Sequence, residues 1–327
     1  MTPTSKTTDL VARGTVLAVF SSFCYTASII ALRDVVAVGV DWAAWISCLK
    51  AVPTVIIAAV VIAWQTRAGS IVWPSPRMIV VLLLTGTAMQ LLGNVCFQLG
   101  LSLGGITMTV PLSQASLLIS GAVLGLMMIN ERVSRRSIAA MMVLILAIAI
   151  LSLDAGASTV SIAGREDPRA VMMTIGLGLA AGFGWGLAGV VIRQVATSGV
   201  STAVTIGLLS STAIVVLGGG VLARRGTEWI ARETSTHEFW VTMLAGLFTA
   251  AAFFALTSAM RHITIVRANL LNASQISLTS LAGVLLFGEP FGRGMVVGTV
   301  LTVAGLLLMD RPQSSPEPGV GRRSKNP

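Results

Sequence analysis

Residues 78 to 130 contain no Asp, Glu, Lys or Arg. A bilayer span needs about 20 apolar residues at about 1.5 Å each, so a charge-free stretch of this length must hold two helices rather than one. Gly104-Gly105 is the natural break between them. Other charge-free runs cover 14 to 32, 51 to 66, 137 to 153, 170 to 192, 194 to 223, 239 to 260, 268 to 288 and 294 to 309. The run from 51 extends back to Trp42 if Lys50 is tolerated inside. The resulting reading is ten spans, at 13 to 32, 42 to 64, 78 to 101, 106 to 128, 137 to 153, 171 to 192, 202 to 222, 239 to 260, 265 to 287 and 294 to 309. Composition agrees, with 54% apolar and 11% charged residues against roughly 25% charged in soluble domains. The expected fold class is an all-α integral membrane protein whose surface faces lipid.

Two apolar runs in different halves close alike, one in Asn130-Glu131 and the other in Gly288-Glu289, and the glutamates lie 158 residues apart in a chain of 327. Gln114-Ala115-Ser116 answers Asn272-Ala273-Ser274 at that same offset. Leu32-Arg33 and Gly39-Val40 align with Ile192-Arg193 and Gly199-Val200 at an offset of 160. Each half then holds five helices, and an odd number makes the two halves enter the membrane from opposite sides. The expectation is two inverted five-helix repeats, 1–153 and 170–309, joined by a linker 154–169 and followed by a basic, Pro- and Ser-rich disordered tail 310–327. Inverted repeats of this kind build substrate pathways at the seam between halves.

Ten spans put both termini on one side. If that side is the cytoplasm, inside segments carry fourteen Lys and Arg and outside segments seven, so the termini are expected inside a bacterial-type cytoplasmic (inner) membrane. The net charge of +9 sits at helix ends and in the tail, where anionic headgroups attract it, so lipid rather than nucleic acid is the expected partner. Cys24, Cys48 and Cys96 fall inside predicted helices and read as small packing residues. The first apolar run lacks a small-residue cleavage site and reads as a span rather than a leader.

The segment from Pro111 to Arg136, through Met128-Ile129-Asn130-Glu131-Arg132, and the segment Leu286-Phe287-Gly288-Glu289-Pro290, with Gly298-Thr299-Val300-Leu301 beyond it, carry a family resemblance. They resemble the two glutamate-ended repeats of the drug/metabolite transporter superfamily, EamA type, and the resemblance runs over nearly the whole chain. It implies a ten-helix inverted-repeat carrier of small metabolites, often an exporter of amino acids or related compounds. Two positions depart from the pattern: Asn130 stands where Gly is common, and Lys50 where the second helix often carries Arg.

Several residues are candidates for a substrate site. Lys50 is the clear formal charge within a predicted span; it either contacts an anion or carboxylate, gates the pathway, or snorkels to headgroups. Gln90, Asn94 and Gln98 recur at steps of four, within about 80° on one helix face. Amides in hydrocarbon need partners, so this stripe lines a wet cavity or glues helices, and three in a row favour the cavity. The ninth span offers Asn269, Asn272 and Gln275, and the fourth offers Ser113, Gln114 and Ser116. Trp185, mid-span among glycines, stacks on a substrate or fills space beside them. Gly178, Gly182 and Gly186 recur at steps of four as a helix contact. Glu131 and Glu289 sit at span ends beside turn residues and arginines, which favours structural capping, an ion pair or gating over a buried proton relay.

The chain lacks HExxH, GxSxG, Walker A and metal-spaced Cys/His clusters, so no enzyme, cofactor or metal is expected. Gly184-Trp185-Gly186-Leu187-Ala188-Gly189 matches GxGxxG in form but lies in membrane with no preceding strand. Asn272-Ala273-Ser274 matches a glycosylation acceptor but lies within a helix. The sequence reading is a small-molecule carrier working by alternating access, an exporter first. An importer of the same fold and a non-transporting membrane binding protein are the alternatives.

Overall fold

The computed structural model describes residues 3–32, 35, 39–158, 168–287 and 292–308. Among them every regular element is helical. The first half comprises α1 (Pro3–Ala31), α2 (Val40–Arg67), α3 (Pro76–Ala88), a π-helical segment (Met89–Val95), α4 (Cys96–Ile129) and α5 (Arg135–Ser158). The second comprises α6 (Pro168–Thr197), α7 (Thr202–Thr212), a π-helical segment (Ala213–Gly218), α8 (Gly219–Glu233), α9 (Thr236–Ala259), α10 (Ile265–Ala273), α11 (Gln275–Phe287) and α12 (Arg293–Leu308).

Seven stretches of the described residues are long and apolar enough to cross a bilayer: Asp9–Ala31, Val40–Arg67, Pro76–Leu103, Leu112–Ile129, Pro168–Thr197, Thr202–Glu233 and Thr236–Ala259. Each overlaps an expected span. The expected spans 137 to 153, 265 to 287 and 294 to 309 are not in this set, and α12 is a shorter apolar helix. The span expected over 265 to 287 is divided at Ser274. Its hydroxyl donates to Leu271 O at 2.7 Å and lies 3.1 Å from Ser22 Oγ, a local side-chain bond that competes with the helical ladder.

The reversal expected at Gly104-Gly105 takes an unexpected form, because the backbone stays helical from Cys96 to Ile129. A Cβ on Gly100 would nonetheless sit 2.6 Å from Thr109 Cγ2. Nine residues of straight helix would hold these positions about 13.5 Å apart. The helix is therefore not straight between them, and Gly100 and Thr109 come into contact. Asn130 ends α4 with φ 52° and ψ 29°. Asn is one of the few residues besides glycine that enters this left-handed region readily, which explains how it replaces the common Gly.

The stretch expected to be a loop after residue 222 continues as helix to Glu233. At Gly226 the backbone takes φ 77° and ψ 172°, a conformation that suits glycine, and the chain kinks there. The following turn lays Trp229 edge-on against Trp42, with ring centres 6.3 Å apart. Arg225 lies over the Trp229 ring, and Arg224 and Arg225 hold Asp41 at 2.9 and 2.6 Å. Aromatic rings and charges together mark a membrane boundary at the start of α2.

α4 packs along α6, α1 along α9, α2 against α7 and α9, and α5 against α12. The α4–α6 contact is the closest because its α6 face is glycine. A Cβ at Gly182 would lie 2.1 Å from Ser113 O, and one at Gly186 would lie 2.0 Å from Ser120 Oγ. Ser116 and Ser120 donate across this seam to Leu179 O and Gly182 O, at 2.7 and 3.3 Å. The central core gathers Leu82, Leu118, Val190, Leu209, Ile265 and Leu270 around these helices.

Candidate functional site

Gln90 is buried and Asn94 half-buried in the first π-helical segment. Asn94 Nδ2 donates to Gln90 Oε1, so these two amides of the stripe bond to each other. A single π-helical turn inside an α-helix frequently marks a functional site, since it re-aims side chains and loosens the ladder. Gln98 is half-buried and makes no hydrogen bond among the described residues. Trp185, from α6, packs its indole over Gly93, whose Cβ would lie 2.6 Å from Trp185 Nε1. Its ring also tilts against Phe97 at 5.0 Å between centres. The structure thus brings Trp185 to the same segment as Gln90 and Asn94.

Gln114 is buried in α4, and its Oε1 has no hydrogen-bond donor among the described residues. Buried acceptors are nearly always satisfied, so this oxygen calls for an explanation. Asn269, from α10, brings Nδ2 to within 2.8 Å of the position of a Gly121 Cβ on α4. Asn272 accepts from Ser21 Oγ at 3.4 Å, and Gln275 O accepts from Thr26 Oγ1 at 3.2 Å. α1 therefore lines this second polar group, with Ser21, Ser22 and Thr26 buried or facing it. The sequence reading missed α1, although its polar residues recur at three- and four-residue steps. Lys50 is half-buried in α2.

Glu131 follows the left-handed turn at Asn130. Its Oε2 pairs with Arg193 Nε at 3.2 Å, and its Oε1 accepts the Ile265 N–H at 2.8 Å. Ile265 opens α10, so the carboxylate also complements the positive end of that helix. Arg193 donates from Nη1 to Met260 O at the end of α9. One carboxylate and one guanidinium thus tie the ends of α4, α6, α9 and α10 together. Glu289, its counterpart in the second half, lies outside the described residues. Among the described residues no His, Cys, Asp and Glu group is placed to hold a metal ion.

His262 occupies the turn beside this node. Burial, then Arg261, Arg13 and Arg193, hold its pKa below the usual 6.5. The folded chain therefore favours the neutral imidazole. That contribution is present above about pH 6.5 and is lost as pH falls through the depressed folded value, where the unfolded chain binds the extra proton. The unfolding temperature should drop between pH 7 and pH 5.5, and His262→Gln should flatten the drop. An identical pH slope in both proteins would assign the loss to other groups.

An all-helical chain with this many apolar stretches of spanning length is a multi-pass membrane protein. Its residues 172–310 match the EamA-like transporter family, a family of the drug/metabolite transporter superfamily. The resemblance read from the glutamate-ended repeats is met over that half. A solved crystal structure covers 90% of this chain, and 97% of its own, with a TM-score of 0.70 at 17% identity; that likeness concerns fold alone. No curated protein matches the chain in sequence.

Proposed function

We propose that the chain is a secondary carrier of a small metabolite that works by alternating access, without a catalytic step or cofactor. In this reading it has ten spans in two inverted repeats, 1–153 and 170–309, lies in the cytoplasmic membrane with both termini inside, and exports amino acids or related compounds. Helix packing supports the repeat. Exchanging each helix of one half for its counterpart turns the pairing of α1 with α9 and α10 into that of α6 with the α3 region and α4, and returns α5–α12 and α2–α7 to themselves.

The observation that carries the proposal is the buried Gln114 Oε1, which has no hydrogen-bond donor among the described residues, on a helix that packs against both α10 and the π-helical segment of Gln90 and Asn94. A buried acceptor in a membrane bundle with no donor among the described residues is suited to a solute donor. Glu131, and Glu289 of the second repeat, serve as structural or gating glutamates.

The test compares metabolites in medium and cells with and without expression. Export predicts a compound that rises outside only with the intact chain, and uptake predicts the reverse. Gln90→Leu, Asn94→Leu and Gln98→Leu should each impair that transport while inserting normally. Unchanged transport in all three would reduce the stripe to helix glue. If single cysteines at 90, 94 and 114 were labelled from one face only under all conditions, alternating access would fail.

A further inference from the structure

Lys50 sits at the centre of the inner face of α2. At 3.6 residues per turn, Ala43, Ile46, Ser47, Pro53 and Thr54 all lie within about 60° of it around the axis, and all five are buried. α9 closes on this face, since a Cβ at Gly246 would lie 2.6 Å from Lys50 O and 2.9 Å from Pro53 Cγ. The lipid-facing residues, Ile56 and Val60 among them, point elsewhere.

Depth follows from Trp42, which the contacts with Trp229 and the pairing of Asp41 with Arg224 and Arg225 place at the membrane boundary. Lys50 lies eight residues further on, about 12 Å deeper along the helix, close to the middle of a hydrocarbon core about 30 Å thick. An ammonium there needs an anion or water. Lys50 has neither an ion pair nor a hydrogen bond from its side chain among the described residues. The Asp and Glu side chains that are described, Asp9, Asp41, Glu131, Glu228, Glu233 and Glu238, lie at or near helix ends. None is a counter-ion at this depth.

We infer that Lys50 is the anchor for the carboxylate of a net-anionic solute, which completes an ion pair that none of the described carboxylates supplies. The inference rests on the carrier reading and narrows it. Within amino acids and related metabolites, the substrates are those whose carboxylate charge is not cancelled by their own ammonium group. α2 also packs against the π-helical segment that bears Gln90 and Asn94, the amides proposed above to hold the rest of the solute. A zwitterion would bring an ammonium into a bundle interior that offers it no described carboxylate.

The test uses the purified full chain and four probes that share the leucine side chain and differ in charge: N-acetyl-leucine (anion), N-acetyl-leucine amide (neutral), leucine (zwitterion) and leucine amide (cation). N-acetyl-leucine at ten times its Kd should raise the unfolding temperature of the wild type by about 3 °C. It should not do so for Lys50→Ala or Lys50→Gln, and Lys50→Arg should restore the response. The ligand-free variants should be at least as stable as the wild type, because they lose an unpaired buried charge; a merely structural lysine would make them less stable. In proteoliposomes, N-acetyl-leucine flux should fall about tenfold or more in Lys50→Ala, the loss expected for one charge-assisted hydrogen bond.

Equal stabilisation of wild type and Lys50→Ala, or preference for the cation or zwitterion, overturns the anchor. So does the lack of any anion response in both assays. Anion-specific stabilisation lost in Lys50→Ala, with no flux of any probe, would keep the anchor and sink the carrier reading. Flux of the neutral or cationic probe that is equal in wild type and Lys50→Ala would do the opposite.

Discussion

Gly182→Ala is expected to destabilise the bundle by about 3 kcal/mol or more, the upper range for overpacking a close contact. The added methyl would meet Ser113 O at 2.1 Å, Ser116 Cβ at 2.5 Å and Leu117 N at 2.6 Å. Two of these are backbone atoms of α4, which cannot rotate away as a side-chain tip can, so α6 and α4 must move apart. Separation would also weaken the hydroxyl bonds of Ser116 and Ser120 to the α6 backbone. Gly176, on the same helix, has nothing within 4 Å of the point an added methyl would occupy. Gly176→Ala should therefore be neutral or slightly stabilising, because alanine is the better helix former. Unfolding of the purified protein followed by tryptophan fluorescence measures both. Equal unfolding temperatures for the two variants would mean that the α4–α6 seam accommodates a methyl and is not a tight contact.

Glu131→Ala should cost about 3 kcal/mol, because it removes one member of a pair whose side chains are each only 14% exposed and leaves the other charge unmatched. The Ile265 N–H at the start of α10 loses its acceptor in the same step. Glu131→Gln should cost less, since an amide oxygen can still accept that N–H. The decisive comparison is the double variant Glu131→Ala with Arg193→Leu. Removing both charges should recover part of the loss, giving a coupling of roughly 0.5 to 3 kcal/mol in a double-mutant cycle. Strict additivity would show that carboxylate and guanidinium act independently, and that the four helix ends are not held by one node.

The helical class and the positions of seven apolar stretches were legible in the sequence, because exclusion of charge from hydrocarbon writes itself along the chain at single-residue resolution. The glycine step at 178, 182 and 186 was legible as a helix contact for a related reason: only residues without side chains permit such close approach. The sequence did not show which helix fills that contact, nor that Trp185 would lie over Gly93 and against Phe97. Both depend on partners distant in sequence. The π-helical turn at Met89–Val95 was also hidden, since nothing in Met89-Gln90-Leu91-Leu92-Gly93-Asn94-Val95 departs from an ordinary apolar helix with an amide stripe. The polar side of α1 was written in Ser21, Ser22 and Thr26, and acquired meaning only when α10 and α11 brought Asn272, Ser274 and Gln275 against it.

By itself the sequence determined the solvent this chain folds in and the helical class that a bilayer imposes. Those follow from local chemistry, since each backbone group in hydrocarbon must be satisfied within its own helix. Tertiary structure alone decided that Glu131 meets Arg193 and the start of α10, that Asn94 bonds to Gln90, and that Lys50 faces α9 with no counter-ion among the described residues. These outcomes depend on how helices rotate and pair. In lipid that choice is made by close packing and polar contacts between distant segments, because lipid tails are as apolar as the helix faces they cover.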